Sequence, residues 1–379
     1  MIPNTFLNLS GERFTIIYKI SGDEATARAK AEDICIEQTI EFPAALIGED
    51  DIREQIFGRV DSFTPLDVGH FEVAISYAVE ISGFELTQLL NVIFGNISIK
   101  PGIRVERLML PESLLAAFKG PRFGRTGLRE FLGVGERPLL CTALKPMGLT
   151  AQGLAEYAYQ FALGGIDMIK DDHGLADQSF SPFEARVTLC AEAVARANAE
   201  TGFNSVYVPN ITAPIDQMMA KAQFAKQAGA GGLLISPGLA GLDSLRQLAD
   251  ADEIALPILS HPAFLGSYVI HPDSGISHYA LFGQIVRLAG ADATIYPNYG
   301  GRFSFSQAEC QSIVEGTAVS MHHLKPIFPA PGGGMRIDRV AEMRQFYGSD
   351  VVYLIGGDLH RRGEDLVANG RSFREMVQG

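Results

Sequence analysis

The stretch Gly164-Gly165-Ile166-Asp167-Met168-Ile169-Lys170-Asp171-Asp172-His173-Gly174 carries a short apolar run into a lysine, two carboxylates and an imidazole. Four consecutive titratable side chains do not suit a core. A strand alternates its faces, so Ile166, Met168, Lys170 and Asp172 share one side while Asp167, Ile169 and Asp171 share the other. Lys170 and Asp172 therefore point the same way. If that side faces the inside of a barrel, an ammonium and a carboxylate meet at its mouth beside a histidine. The arrangement can host a metal or a proton transfer.

Working outward, apolar runs of this kind recur from about residue 138 onward, at 139–144, 166–169, 205–208, 232–235, 256–259, 293–296, 326–328 and 351–355. Between them, segments such as 152–163, 184–199, 218–228, 277–288 and 339–347 carry apolar residues at three- and four-residue spacing, as amphipathic helices do. Glycines at 164–165, 229, 290 and 348 fit helix ends. Eight βα units in a row predict a (β/α)8 TIM barrel. Residues 13–20 and 69–79 alternate like strands, and 24–36 and 86–95 read as helices. The expectation is thus an α+β N-terminal domain at 1–124, joined through Lys119-Gly120-Pro121-Arg122-Phe123-Gly124, and a barrel domain at 125–379.

Composition narrows the function. The chain has 379 residues, 47% of them hydrophobic and 20% charged, enough for a substantial core. No window approaches 18 consecutive apolar residues, and Met1-Ile2-Pro3-Asn4 opens no basic and apolar leader, so neither a membrane span nor a signal peptide is expected. Cys35, Cys141, Cys190 and Cys310 lie far apart and form no CxxC pair, which points to reduced thiols and the cytoplasm. A formal charge of −13 argues against a nucleic-acid or anionic-membrane partner. It leaves an anionic small molecule open, because backbone N–H groups can hold a phosphate locally.

In such barrels catalysis sits at the C-terminal ends of the strands. Those positions hold Lys145, Lys170-Asp171-Asp172-His173, Asn210, Ser236, His261 and Asn298, followed by Gly332-Gly333-Gly334 and Gly356-Gly357. The last two glycine groups fall where these barrels commonly bind phosphate, and glycine lets the backbone approach its oxygens closely. Lys145 reads as a general acid or base, or else as a phosphate or ion-pair partner. His261 reads as a substrate contact or proton relay, or as a histidine satisfied within the core.

At these residues the sequence resembles the RuBisCO large-chain family, in particular its RuBisCO-like, form IV members. The resemblance rests on KPMGL at 145–149, GGIDMIKDD at 164–172, SHPAF at 260–264, PGGGM at 331–335 and IGGD at 355–358. It implies that Lys170 is carbamylated by CO2 and binds Mg2+ together with Asp172. The family's third ligand is a glutamate, and here that position is His173. The imidazole then binds Mg2+ weakly, prefers Mn2+, or serves as an acid or base. Lys145 matches the lysine that moves protons at the enediolate, and His261 matches an active-site histidine. The phosphate-gripping arginine after it is replaced by Pro262. The loop after the sixth strand, Tyr296-Pro297-Asn298-Tyr299-Gly300-Gly301-Arg302-Phe303, lacks the lysine that steers CO2. These losses argue against carboxylation and for a single phosphate held by Gly332, Gly333, Gly356 and Gly357.

The resemblance further implies a homodimer whose site is completed by Glu37 and Asn96 of the partner subunit, with Asn210, Asn298 and Pro331 as further substrate contacts. The reaction implied is a metal-dependent enolisation of a phosphorylated ketose, in the manner of 5-methylthioribulose 1-phosphate isomerases of sulfur salvage. A decarboxylase of a phosphorylated 3-oxo sugar acid and a 2,3-diketo-5-methylthiopentyl 1-phosphate enolase are the alternatives. From other classes stand a Schiff-base aldolase using Lys170 or Lys145, and a non-catalytic regulatory relative.

Overall fold

The computed structural model describes residues 6–47, 51–303 and 305–378, so Met1–Asn4 lies outside the described residues. Its strands are β1 (Arg13–Ser21), β2 (Arg59–Asp67), β3 (His70–Ala78), β4 (Ile103–Met109), β5 (Leu139–Leu144), β6 (Met168–Asp171), β7 (Val206–Val208), β8 (Leu233–Ile235), β9 (Ile258–Ser260), β10 (Gly275–Ile276), β11 (Ala293–Pro297), β12 (Phe328–Gly332) and β13 (Val352–Leu354). Packing gathers them into two units. One comprises residues 1–119, 265–285 and 320–324, and the other 120–264, 286–319 and 325–379. A single cut at 124/125 does not capture this division, because two later segments pack with the first unit.

In the first unit, β10-β4-β1-β3-β2 form one sheet, antiparallel except for the parallel β10–β4 pair. β1 buries Phe14, Ile16, Tyr18 and Ile20 on one face, as its alternation requires. The helix Glu24–Glu37 opens on Asp23, whose carboxylate accepts the Thr26 N–H at 2.7 Å, and buries Ala27, Ala31 and Ile34. The expected helix at 277–288 is instead a wide π-helical turn, Tyr279–Ile285, followed by one α-turn. Within it, Gln284 bonds both the N–H and the C=O of Leu108 on β4, at 2.9 and 2.7 Å.

The second unit is the expected parallel barrel, with each predicted strand starting within about two residues of its place. Its strands run β13-β5-β6-β7 and β8-β9-β11-β12. Between β7 and β8 the ring is joined by the Asn210–Leu234 bridge, where the Ile211 N–H donates to Leu234 O at 2.9 Å. Cys141, Met168, Val208, Leu234, Leu259, Ile295, Phe328 and Val352 fill the interior. Among the described residues no helix is long and apolar enough to cross a membrane, and all four cysteines are buried free thiols.

Candidate active site

The alternation along β6 sorts its polar residues into two populations. On the outward face, Asp167 accepts the Leu140 N–H at 2.8 Å and a forked pair from Arg137 at 2.7 and 2.6 Å. Four residues on along the same face, the fully buried Asp171 meets Arg186 Nε at 3.1 Å, Tyr207 OH at 2.7 Å and the Asn210 N–H at 3.0 Å. These outward carboxylates brace the barrel. The inward face carries Met168 into the core and then Lys170 and Asp172 to the mouth, as the alternation predicts.

Lys170 is 3% exposed, and its Nζ donates to the Asp171 carbonyl at 2.9 Å. Burial pulls its ammonium below the ordinary lysine range, biasing it toward the neutral amine. Asp172 holds Lys145 in an ion pair through one oxygen. Its other oxygen lies 3.2 Å from His173 Nδ1 and accepts the Gly174 N–H at 2.9 Å. Burial alone would raise the Asp172 carboxyl, but these partners outweigh it and hold the group well below the usual carboxylate range.

His173 stacks on His261, ring centroids 4.3 Å apart and planes 12° from parallel. Burial, together with the charge of nearby Lys170, pushes the His261 imidazole down to about 2, so the ring is neutral near pH 7. Its Nδ1 accepts the Ala263 N–H at 3.2 Å, which places the ring proton on Nε2. The result is a neutral donor held beside Lys170 and the Asp172 carboxylate.

The structure therefore brings Lys145, Lys170, Asp172, His173 and His261 onto one rim. Asn210 and Asn298 are engaged elsewhere. The Asn210 amide donates to the His173 and Leu175 carbonyls at 2.9 and 2.8 Å, fixing the turn that carries His173. Asn298 accepts from Tyr347 OH at 2.6 Å and is buried against Met343. Pro331 is buried within β12. Gly333 and Gly334 have φ of +71° and +114°, while Gly356 and Gly357 have open space where a Cβ would stand. Asp358 ties the two glycine turns together by accepting the Ile337 N–H at 2.8 Å. In the first unit Asn96 Nδ2 donates to Glu37 Oε1 at 3.1 Å, so these two residues form a pair of their own.

Arg186 and Tyr207 do not stand out in the sequence. The one signal is an arginine on the otherwise apolar face of the helix Phe183–Thr201, beside Phe183, Val187 and Cys190.

Residues 124–378 match the family described as ribulose bisphosphate carboxylase large chain, catalytic domain. The chain is 41% identical over 366 residues to ribulose bisphosphate carboxylase-like protein 1 of Rhodopseudomonas palustris, covering 97% of this chain and 98% of that one. It is 36% identical to the 5-methylthioribulose-1-phosphate isomerase of Rhodospirillum rubrum, covering 97% of each. Among solved structures it is similar to a Rubisco-like protein from Rhodopseudomonas palustris, with a TM-score of 0.88 and 37% identity over 97% of both chains.

Proposed function

This chain belongs to the RuBisCO large-chain family, and on that footing we propose that its barrel rim enolises a phosphorylated ketose of the 5-methylthioribulose 1-phosphate type, isomerising it by proton transfer. The observation that carries the proposal is the convergence of Lys145, Lys170, Asp172 and His261 on one rim. Pro262 in place of a phosphate-gripping arginine favours one phosphate over two.

The donor set fits a hard divalent cation once Lys170 is converted. Among the described residues no three His, Cys, Asp or Glu side chains stand together as a metal-ligand group. A carbamate on Lys170 supplies the missing oxygens beside the Asp172 carboxylate and the His173 imidazole. Its formation suits the buried, neutral-leaning amine: Nζ attacks the carbon of CO2 and releases a proton. Mg2+ is the cation of this reading, and Mn2+ suits the imidazole. Such a cation supplies Lewis-acid charge at the ketone oxygen.

The chain's own groups do the rest. Lys145 Nζ, at the half-exposed edge of the rim, first gives its ammonium proton to solvent and then, as the free amine, takes the proton from one carbon and returns it to the next. His261 Nε2–H donates to a substrate oxygen, and its neutral state keeps that donor fixed through the cycle. Backbone N–H groups at Gly332, Gly333, Gly356 and Gly357 hold the phosphate. In a homodimer, Glu37 and Asn96 of the partner subunit complete the rim.

The test is deuterium uptake from D2O into 5-methylthioribulose 1-phosphate. Exchange requires both Mg2+ and bicarbonate in the wild type and is lost in Lys170→Ala. Exchange at the wild-type rate in that variant overturns the carbamate, and no exchange in the wild type overturns the activity.

A further inference from the structure

We propose that Ser236 is a substrate-contacting hydroxyl at the barrel mouth, donating to an oxygen on the reacting carbons of the ketose. This rests on the enolisation reading above. Ser236 follows β8 with extended backbone, φ −101° and ψ 91°, and so shares the inward face with Leu234 of the barrel core. Leu234 pairs with Leu259 and Ile235 with Ser260, and the His261 N–H donates to Ile235 O at 2.8 Å, so Ser236 stands beside His261.

Its height follows from the register. Lys170 pairs with Val208, and Asn210 bridges Leu234, so Asp172 lies in register with Asn210 and Leu234. An eight-stranded barrel with a shear of eight climbs one residue per strand, so two strands further round the level of Asp172 is reached at Ser236. Asp172 and Ser236 thus belong to one layer, contributed by alternate strands.

Every polar group of Ser236 but one is spent. Its N–H donates to Thr212 Oγ1 at 2.9 Å, and its carbonyl accepts from Leu239 and Ala240 N–H at 3.0 and 3.1 Å. The side chain is 1% exposed, and its Oγ has no hydrogen-bond partner among the described residues. A buried hydroxyl without a partner weakens a fold. Here it sits on a rigidly held backbone, one strand from His261 and in the layer of Asp172, and a ligand oxygen is the partner that position supplies.

The experiment compares Ser236→Ala and the hydroxyl-retaining Ser236→Thr with the wild type, in deuterium exchange of 5-methylthioribulose 1-phosphate and in thermal melting. Ser236→Ala should lower kcat roughly 10- to 100-fold with KM nearly unchanged, while Tm stays level or rises. Ser236→Thr should keep more of the rate than Ser236→Ala. Exchange by Ser236→Ala within about twofold of wild type overturns the Ser236 assignment and leaves the enolisation standing. A rate loss matched by a fall in Tm assigns a structural role and overturns it too. A wild type that exchanges nothing overturns both.

Discussion

Removing Arg186 strips the charge partner from a carboxylate that has no access to water. Both side chains are 0% exposed, and the guanidinium also donates to the Ser181 and Ala176 carbonyls at 2.7 Å each. Arg186→Met leaves Asp171 buried with Tyr207 OH and one backbone N–H, without the guanidinium that opposes the upward pull of burial on its carboxyl. Breaking a buried pair from one side costs about 3–5 kcal/mol. For a unit of this size, that lowers Tm by roughly 6–20 °C. Neutralising the survivor in Arg186→Met/Asp171→Asn should recover at least about 2 kcal/mol, because an amide oxygen still accepts one of those bonds without the unpaired charge. Differential scanning calorimetry of the four proteins in the cycle measures it. A single-variant loss under about 1 kcal/mol, or no recovery in the double variant, refutes the view that the pair is a charge buttress beneath the strand end. The same variant should slow ketose exchange, since Asp171 anchors Asn210, and Asn210 anchors the turn bearing His173.

Two further outcomes are expected. His173→Glu should tighten Mg2+ binding on the order of tenfold, because a carboxylate suits the hard cation better than an imidazole; unchanged affinity by calorimetric titration places His173 away from the cation. Asp292 accepts the Phe123, Gly124 and Ile258 N–H groups at 2.8–3.0 Å, yet burial pushes its carboxyl up to about 6. Its folded value lies above its unfolded one, so its stabilising contribution is full below about pH 4 and is lost as pH rises through 6, on the order of 3 kcal/mol. Asp292→Asn should abolish that dependence, and parallel stability–pH curves for the two proteins would contradict it.

The barrel was legible because parallel strands buried on both faces read as continuous apolar runs. Boundaries slipped where polar or cyclic residues sit inside a ladder. The run at 166–169 was expected to stop before Lys170, but β6 continues to Asp171, since the charged groups beyond Ile169 find partners. The run at 326–328 gave no hint of β12 reaching Gly332 through two prolines. Phe328 donates its N–H to Asp292 O on the β11 side. The alternate residues Pro329 and Pro331 would donate toward β13, and they have no N–H to give. β12 and β13 accordingly belong to separate sheets. β2 escaped notice because it is exposed on both faces and shows no alternation. At the site, Lys145, Lys170, Asp172, His173 and His261 were readable as strand-end residues. The Asp171–Arg186–Tyr207–Asn210 network was not, because its members lie 15, 36 and 39 residues from Asp171.

The pairing of β10 with β4 also sets an order of events on the ribosome. Gly275 sits opposite Arg104, so the outer edge of β4 waits for a partner roughly 170 residues downstream. At typical elongation rates that interval is roughly 10–30 s. During it, four strands of the first sheet are complete while the N–H and C=O groups along one side of β4 remain open to any extended chain. The nascent protein is therefore most exposed to edge-to-edge association while the first five strands of its barrel are being made, and the segment that ends this exposure is encoded between the fifth and sixth barrel strands.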